Sequence, residues 1–291
     1  MRNELLLSIV RAYYKGADIR PLVLMAAARI KNPEIQAELK NLASQPTPIA
    51  LTQLPIDIQA MVQPPLEVTR RDLVIPASVN AELEALLQEH VATEELKAHQ
   101  LMPRSRILFH GPPGCGKTSV ACALARELGS YPLWISLPAV IGSYMGESSK
   151  KVDRLFQALK PGYSLVLDEL DSVGTVRGPE SSAASQERNY TLNTMLTCLD
   201  RSRAGVLFAT TNRMDLIDPA LVRRFDVVLE FPAPSREEQQ RLIEMLEARY
   251  QAGKLGVKAR SKATFDSITK EAQRAARNIV LGRPRAPEGE K

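Results

Sequence analysis

The segment Gly111-Pro-Pro-Gly-Cys-Gly-Lys-Thr118 matches the pattern G-x-x-x-x-G-K-[ST], which is typical of loops that bind the phosphates of nucleoside triphosphates. The apolar run 106–110 before it predicts a short buried strand, and the run 119–128 after it predicts a helix. In such a unit the glycines let backbone N–H groups turn towards phosphate oxygens, and the helix N-terminus adds positive potential. The predicted nucleotide-binding set is Gly111, Pro112, Pro113, Gly114, Cys115, Gly116, Lys117, Thr118 and Ser119.

Four side chains have predicted roles in binding and hydrolysing a nucleoside triphosphate with Mg²⁺. Lys117 would reach the β- and γ-phosphates, and the Thr118 hydroxyl would be a ligand of Mg²⁺. Downstream, the mostly apolar run 164–167 ends in Asp168 and Glu169. If this run is a strand of the same sheet, its carboxyl end lies beside the phosphate loop. Asp168 would then hold Mg²⁺ through the ion's water shell and Glu169 would polarise the attacking water; the alternative is an ordinary pair of surface acids.

The fold is predicted from an alternation of strand and helix patterns along the chain. Further strands are expected at 133–137, 165–167, 205–209 and 227–231, with helical segments between them. This alternation predicts an α/β fold in which a phosphate-loop parallel sheet is sandwiched by helices. A capping box, Ser235-Arg-Glu-Glu238, opens a helix to Tyr250, and a last helix is expected near 265–281.

The domain boundaries follow from changes in composition and pattern. The chain divides into an N-terminal helical region at 1–45, a proline-punctuated linker at 46–75, a large α/β domain at 76–233, a small C-terminal helical lid at 234–282 and a disordered tail at 283–291. The large domain is expected to begin with one long amphipathic helix from Ala77 to Leu101.

The composition is that of an ordinary soluble protein, because 44% of the 291 residues are apolar and 24% are charged. No apolar run has the length of a membrane span, and the first ten residues do not read as a signal peptide. The three cysteines have no metal-ligand spacing, and their odd number makes a poor disulfide framework. We therefore expect a cytoplasmic protein with no membrane partner.

The net charge of +5 is concentrated in residues 251–291, which hold ten Lys or Arg and four Asp or Glu, a net +6. One interpretation is a solvated helix face followed by a disordered end. The other is contact with an acidic partner or with nucleic acid.

Together with Leu207-Phe-Ala-Thr-Thr-Asn212 and Asp218-Pro-Ala-Leu-Val-Arg-Arg-Phe-Asp226, these motifs resemble those of the AAA ATPases over about residues 70–280. The resemblance implies a Walker A loop at 111–118, a Walker B motif ending in Asp168 and Glu169, and a sensor-1 Asn212 that orients the attacking water. It also implies arginines that reach the γ-phosphate in the neighbouring subunit, and therefore a homo-oligomeric ring, expected to be a hexamer.

Two segments differ from, or add to, the family pattern. The family commonly has Leu-Arg-Pro-Gly-Arg-Phe-Asp where this chain has Val222-Arg-Arg-Phe-Asp226, so Arg223 and Arg224 both remain candidate arginine fingers. The segment 141–148 is similar to the first pore loop of protein-remodelling members, in which Tyr144 and Met145 would grip a polypeptide; the alternative is a buried Tyr144. The resemblance also places adenine between residues 72–74 and the lid near Ile243.

Three functions remain open at this stage. The first is a ring-forming ATPase that remodels or unfolds a protein client. The second is a nucleotide-controlled regulator that holds and releases a dedicated protease or effector partner. The third is a DNA-associated ATPase, which the basic C-terminal region favours and which steep salt dependence of DNA binding would support.

Overall fold

The computed structural model describes residues 54–64, 66–140, 147–158, 162–173, 183–202 and 205–282. Several sequence predictions lie outside these residues: the helical region 1–45, most of the first half of the linker, the candidate pore residues Tyr144 and Met145, and the tail 283–291. They remain predictions.

The described residues form a six-stranded sheet with helices around it, and this confirms the predicted α/β class. The strands follow one another in space as β1-β3-β4-β5-β2-β6, and all neighbours are parallel except β1 and β3. Every residue of β5 is buried, as expected for a strand covered on both faces. The strands are β1 (Val62–Gln63), β2 (Arg106–His110), β3 (Tyr131–Ser136), β4 (Tyr163–Asp168), β5 (Val206–Thr211) and β6 (Val227–Glu230).

Helices pack on both sides of the sheet. The described helices are α1 (Ile56–Gln59), α2 (Ala77–Val91), α3 (Thr93–Ala98), α4 (Lys117–Glu127), α5 (Leu137–Val140), α6 (Glu147–Ala158), α7 (Ala183–Arg201), α8 (Pro219–Val222), α9 (Arg236–Tyr250) and α10 (Phe265–Val280). Short 3₁₀ turns occupy Arg70–Asp72, Leu170–Ser172 and Met214–Leu216.

Alternate side chains of the strands pack in two separate apolar cores. Ile107 and Phe109 of β2 pack in the core that contains α2 and α4, whereas Leu108 packs in the core that contains α6 and α7. Successive side chains of a strand point to opposite faces of the sheet, which explains this division. The result is a three-layer arrangement of helix, sheet and helix.

Two parts of the observed structure differ from the sequence expectations. The single helix expected over 77–101 is two helices, because the backbone of Ala92 leaves helical geometry at φ −87° and ψ 21°. The Thr93 hydroxyl donates to the carbonyl of His90 at 2.6 Å across this break. In addition, the predicted linker contributes α1 and the edge strand β1, which pairs with β3.

The C-terminal unit has an apolar core of its own. Leu242 and Ile243 of α9 pack with Phe265 and Ile268 of α10. The predicted capping box is confirmed: the Ser235 hydroxyl accepts from the backbone of Glu238 at 3.2 Å, and the Glu238 carboxylate accepts from the backbone of Ser235 at 2.8 Å. This cap fixes the start of α9 directly after the last strand of the sheet.

Candidate active site

The loop between β2 and α4 depends on glycines for its shape. Gly111 has φ +136°, and a β-carbon placed there would lie 2.1 Å from the carbonyl oxygen of Phe231. Gly116 has φ +88° and occupies the position immediately before the first residue of α4. Only glycine adopts these backbone angles without strain, so the sequence pattern 111–118 corresponds to a curled loop that ends at a helix N-terminus.

Lys117 lies at the centre of the site and is only 6% exposed. Its Nζ donates hydrogen bonds of 2.8 Å to the carbonyls of Gly111 and Pro112 and to the Oδ1 atom of Asn212. Burial lowers the pKa of Lys117, while nearby Cys115, Asp168 and Asp171 act in the opposite direction. The bond to Asn212 joins the phosphate loop to the carboxyl end of β5, so two separately predicted site residues are in direct contact.

Asp168 ends β4 beside the first turn of α4. The Thr118 hydroxyl lies 3.1 Å from both carboxylate oxygens of Asp168. Trp134 donates its indole N–H to Asp168 Oδ2 at 3.2 Å, and the Thr210 hydroxyl donates to Oδ1. Neighbouring hydroxyl and carboxylate oxygens are the hard ligands that Mg²⁺ prefers, and so these two side chains fit the ion that the sequence predicts.

Glu169 leaves the strand in a left-handed conformation, at φ 60° and ψ 52°. This conformation is uncommon for residues other than glycine, and it turns the chain sharply after Asp168. The Glu169 side chain is exposed, and the Ser136 hydroxyl at the end of β3 approaches Glu169 Oε2 at 3.5 Å. The two acids therefore face different surroundings, since Asp168 is held by three polar side chains whereas Glu169 is open to solvent.

Asp171 holds the end of β5 in place. Its Oδ1 accepts from the Thr211 hydroxyl at 2.7 Å and lies 3.4 Å from the backbone nitrogen of Asn212. None of Asp171, Trp134 and Thr210 was identified as a site residue from the sequence. The position of Asp171 three residues after Asp168 was a signal that could have identified Asp171. Nothing in the sequence pointed to Trp134.

The two candidate arginine fingers lie in different environments. Arg224 donates from Nε and Nη2 to the carboxylate of Asp200, at 3.0 Å each, and from Nη1 to the carbonyl of Ala220 at 2.7 Å. Arg223 is exposed, and no hydrogen bond or ion pair holds its guanidinium within the described part of the chain. Neither arginine hydrogen-bonds to the phosphate loop of its own chain.

The lid touches the phosphate loop directly. The backbone nitrogen of Asp266, at the start of α10, donates to the carbonyl of Gly114 at 3.1 Å. A crevice of about 340 Å³ lies between the segment 70–75 and Arg241 and Met245 of α9, which corresponds to the region expected to hold adenine. Ile243 itself packs inside the core of the lid, between these two residues in sequence.

Cys115 lies within the phosphate loop. The residue is 2% exposed, and its burial raises the pKa of the thiol. The protonated form is the less reactive one, so this environment disfavours oxidation of Cys115.

The fold and the loop define a phosphate-loop nucleoside triphosphatase. The family model described as "ATPase family associated with various cellular activities (AAA)" matches residues 107–233. An uncharacterised AAA family ATPase of Sinorhizobium fredii is 32% identical over 250 residues, covering 80% of this chain and 74% of the relative. The chain therefore belongs to the AAA family, and it is an ATPase.

Other relatives carry more specific names. The proteasome-activating nucleotidase of Pyrococcus abyssi is 35% identical over 151 residues, which are 49% of this chain and 38% of that protein. A putative 26S proteasome regulatory subunit homologue of Methanocaldococcus jannaschii is 35% identical over 144 residues, which are 48% and 38% of the two chains. The match thus spans well under half the length of these archaeal proteins. The helices in the described part of the chain are too short or too polar to span a membrane.

Proposed function

We propose that this AAA ATPase assembles into a homo-oligomeric ring, expected to be a hexamer, and uses ATP hydrolysis to remodel or unfold a protein client. The proposal rests on Arg223, which follows the last residue of α8. Its guanidinium is exposed and has no hydrogen bond or ion pair within the described residues. The other site residues, Lys117, Thr118, Asp168 and Asn212, meet within one chain. Among the described residues of one chain, the site lacks an arginine that contacts the γ-phosphate, and a neighbouring subunit can supply one.

Each of these residues has a separate role in ATP hydrolysis. Lys117 binds the β- and γ-phosphates, and Thr118 and Asp168 would hold Mg²⁺, which would neutralise phosphate charge. Glu169, whose carboxylate is exposed, accepts a proton from the attacking water. Asn212 orients that water and the γ-phosphate, and Asp171 fixes the position of Asn212 through the end of β5.

The two arginines have separate roles in the proposed ring. Arg223 crosses the seam and neutralises the charge that develops on the γ-phosphate in the neighbouring subunit. Arg224 stays in its own chain, because three hydrogen bonds fasten it to Asp200 and Ala220. It thereby fixes the end of α8 against α7 and orients Arg223.

Dilution tests the shared site. Turnover per chain should fall steeply when the protein is diluted below the concentration at which the ring dissociates, since isolated chains lack the cation from the neighbour. Turnover per chain is measured across a dilution series in parallel with particle mass by mass photometry, and the two curves should coincide. Constant turnover per chain in preparations that contain only monomers would refute the shared site.

A nucleotide-controlled regulator of a dedicated protease or effector is the second candidate. The names of the archaeal relatives, a proteasome-activating nucleotidase and a regulatory subunit homologue, support a role beside a separate partner. The exposed Arg274 and Arg277 on α10 support contact with an acidic surface, without distinguishing an acidic protein from nucleic acid.

Tyr144→Ala separates remodelling from regulation. If Tyr144 and Met145 grip the client, the variant should lose at least about tenfold in client unfolding rate while its ATP turnover stays within about twofold, because apolar grip of an aromatic side chain is removed and the ATP site is not. Unfolding is followed by the loss of fluorescence of a tagged client, with Tyr190→Ala as the matched control because Tyr190 is an exposed tyrosine on α7. A regulator that only holds and releases its partner should be insensitive to either change.

A further inference from the structure

The short turn at Arg70–Asp72 connects the lid to the sheet domain. Asp72 Oδ2 accepts from the backbone nitrogen and the hydroxyl of Thr69, at 3.0 and 2.7 Å. The other oxygen, Oδ1, accepts from Arg249 Nη2 of the lid helix α9 at 2.6 Å. These partners, with the Thr69 backbone first, hold the pKa of Asp72 below its usual value, so the carboxylate stays charged under ordinary conditions.

The same turn is fastened to the phosphate-loop helix. Arg70 pairs with Glu84 of α2 at 2.6 Å and with Glu127 at 2.9 Å. Glu127 is the last residue of α4, whose first residue is Lys117 of the phosphate loop. An eleven-residue helix is a stiff rod of about 16 Å. The turn is therefore linked mechanically to the nucleotide loop on one side and to the lid on the other.

The segment that follows the turn lies between the core that contains α2 and α4 and the core of the lid. Leu73 and Ile75 pack against the core that contains α2 and α4, whereas Val74 packs against the core of the lid. Leu73 has extended backbone angles, φ −122° and ψ 142°, and neighbouring side chains of an extended chain point in opposite directions. This packing aligns the lid with the sheet domain.

Two of the hydrogen-bonded contacts between described residues join the lid to the sheet domain. One is the bond from Asp266 to Gly114 in the phosphate loop, and the other is the Asp72–Arg249 pair. The side chains of Arg249 and Asp72 are 49% and 32% exposed, so solvent can compete for this ion pair. An attachment of this kind can open and close at small cost.

We propose that Asp72 and Arg249 are positioning residues whose ion pair latches the lid against the site and slows the release of bound nucleotide. The inference rests on the proposed binding of nucleotide at loop 111–118. Opening the latch frees α9 and, through the shared lid core, the α10 N-terminus that touches Gly114. The hydrolytic step is not affected, because Asp168, Glu169 and Asn212 all belong to the sheet domain.

Release of the fluorescent nucleotide mant-ADP from the full-length protein tests the latch. Arg249→Gln should release mant-ADP about two- to fivefold faster than the unaltered protein, the range expected for loss of a partly exposed ion pair. The single-turnover rate of ATP hydrolysis should stay unchanged. Arg249→Lys keeps the charge and should restore slow release. The difference in mant-ADP release rate between Arg249→Gln and the unaltered protein should become smaller at high salt, because ions screen the pair.

Arg260→Gln is the matched control, because Arg260 pairs with Glu271 at 2.5 Å entirely within the lid. Its release rate should equal that of the unaltered protein. Equal release by Arg249→Gln and the unaltered protein, or equal acceleration by both Gln variants, would overturn the latch alone. A Lys117→Ala chain that binds mant-ADP as tightly as the unaltered protein would instead overturn the placement of nucleotide on the loop, and the latch with it.

Discussion

Replacing Glu169 by Gln is expected to lower ATP turnover at saturating ATP by at least about 100-fold, the usual range for loss of a general base. Gln has the same shape as Glu and can still meet the Ser136 hydroxyl, but its amide cannot accept a proton from water. Lys117, Thr118 and Asp168 are untouched, so ATP binding should remain within about threefold of the unaltered protein. The variant should accumulate in the ATP-bound form, and this should stabilise the ring.

Steady-state turnover, binding of ATP by equilibrium titration and particle mass in the presence of ATP measure these three effects. Glu95→Gln on α3 is the matched control, because Glu95 is exposed and distant in sequence from every site residue; its turnover should be unchanged. Normal turnover by Glu169→Gln would show that Glu169 is not the base. The trapped ATP form is also the species in which a client or partner should be retained longest, so it is the form for affinity purification.

The nucleotide loop was predictable from sequence because its residues are contiguous and their backbone angles are demanding. Gly111 and Gly116 have positive φ, and Lys117 follows directly at the helix start. The approach of Asp168 and Asn212 to this loop followed from a second general fact, that the carboxyl ends of parallel strands meet at one edge of a sheet. The strand order confirms the basis of that argument, because β5 lies between β4 and β2.

Contacts that depend on the exact register of distant segments were not predictable. Trp134 reaches Asp168 because β3 and β4 pair with Trp134 opposite Val166, which places its indole within range of the strand end. Asp200 lies in the last turn of α7 and is 24 residues from Arg224. Neither pairing leaves a pattern in one sequence. For the same reason, sequence could not distinguish Arg223 from Arg224, although in the described structure Arg224 binds Asp200 and Ala220 and the Arg223 guanidinium has no partner.

Because Arg223 and Arg224 have different surroundings, replacing them should lower ATP turnover to different extents. Arg223→Ala should lower turnover by about 1,000-fold or more at ring-forming concentrations, which is the usual effect of losing a transition-state arginine. Arg224→Ala removes a partly exposed pair with Asp200 and should cost only about five- to tenfold, because α8 is then less firmly placed. Asp200→Asn should reproduce the smaller loss, since it removes the same ion pair from the other side. Turnover of the purified variants at one protein concentration provides the comparison.

Mixing two inactive variants determines whether Arg223 acts across the seam. A chain with Arg223→Ala keeps Glu169, and a chain with Glu169→Gln keeps Arg223, so a mixed ring contains some seams with both groups. Random assembly of equal amounts makes about a quarter of the seams complete, because each of the two positions is filled by the required chain half of the time. Mixed rings should therefore recover about a quarter of normal turnover, whereas an arginine that serves its own chain would give no recovery. A mixture of Arg223→Ala with the Arg223→Ala/Glu169→Gln double variant contains no complete seam and should stay inactive, which separates true complementation from a change in assembly.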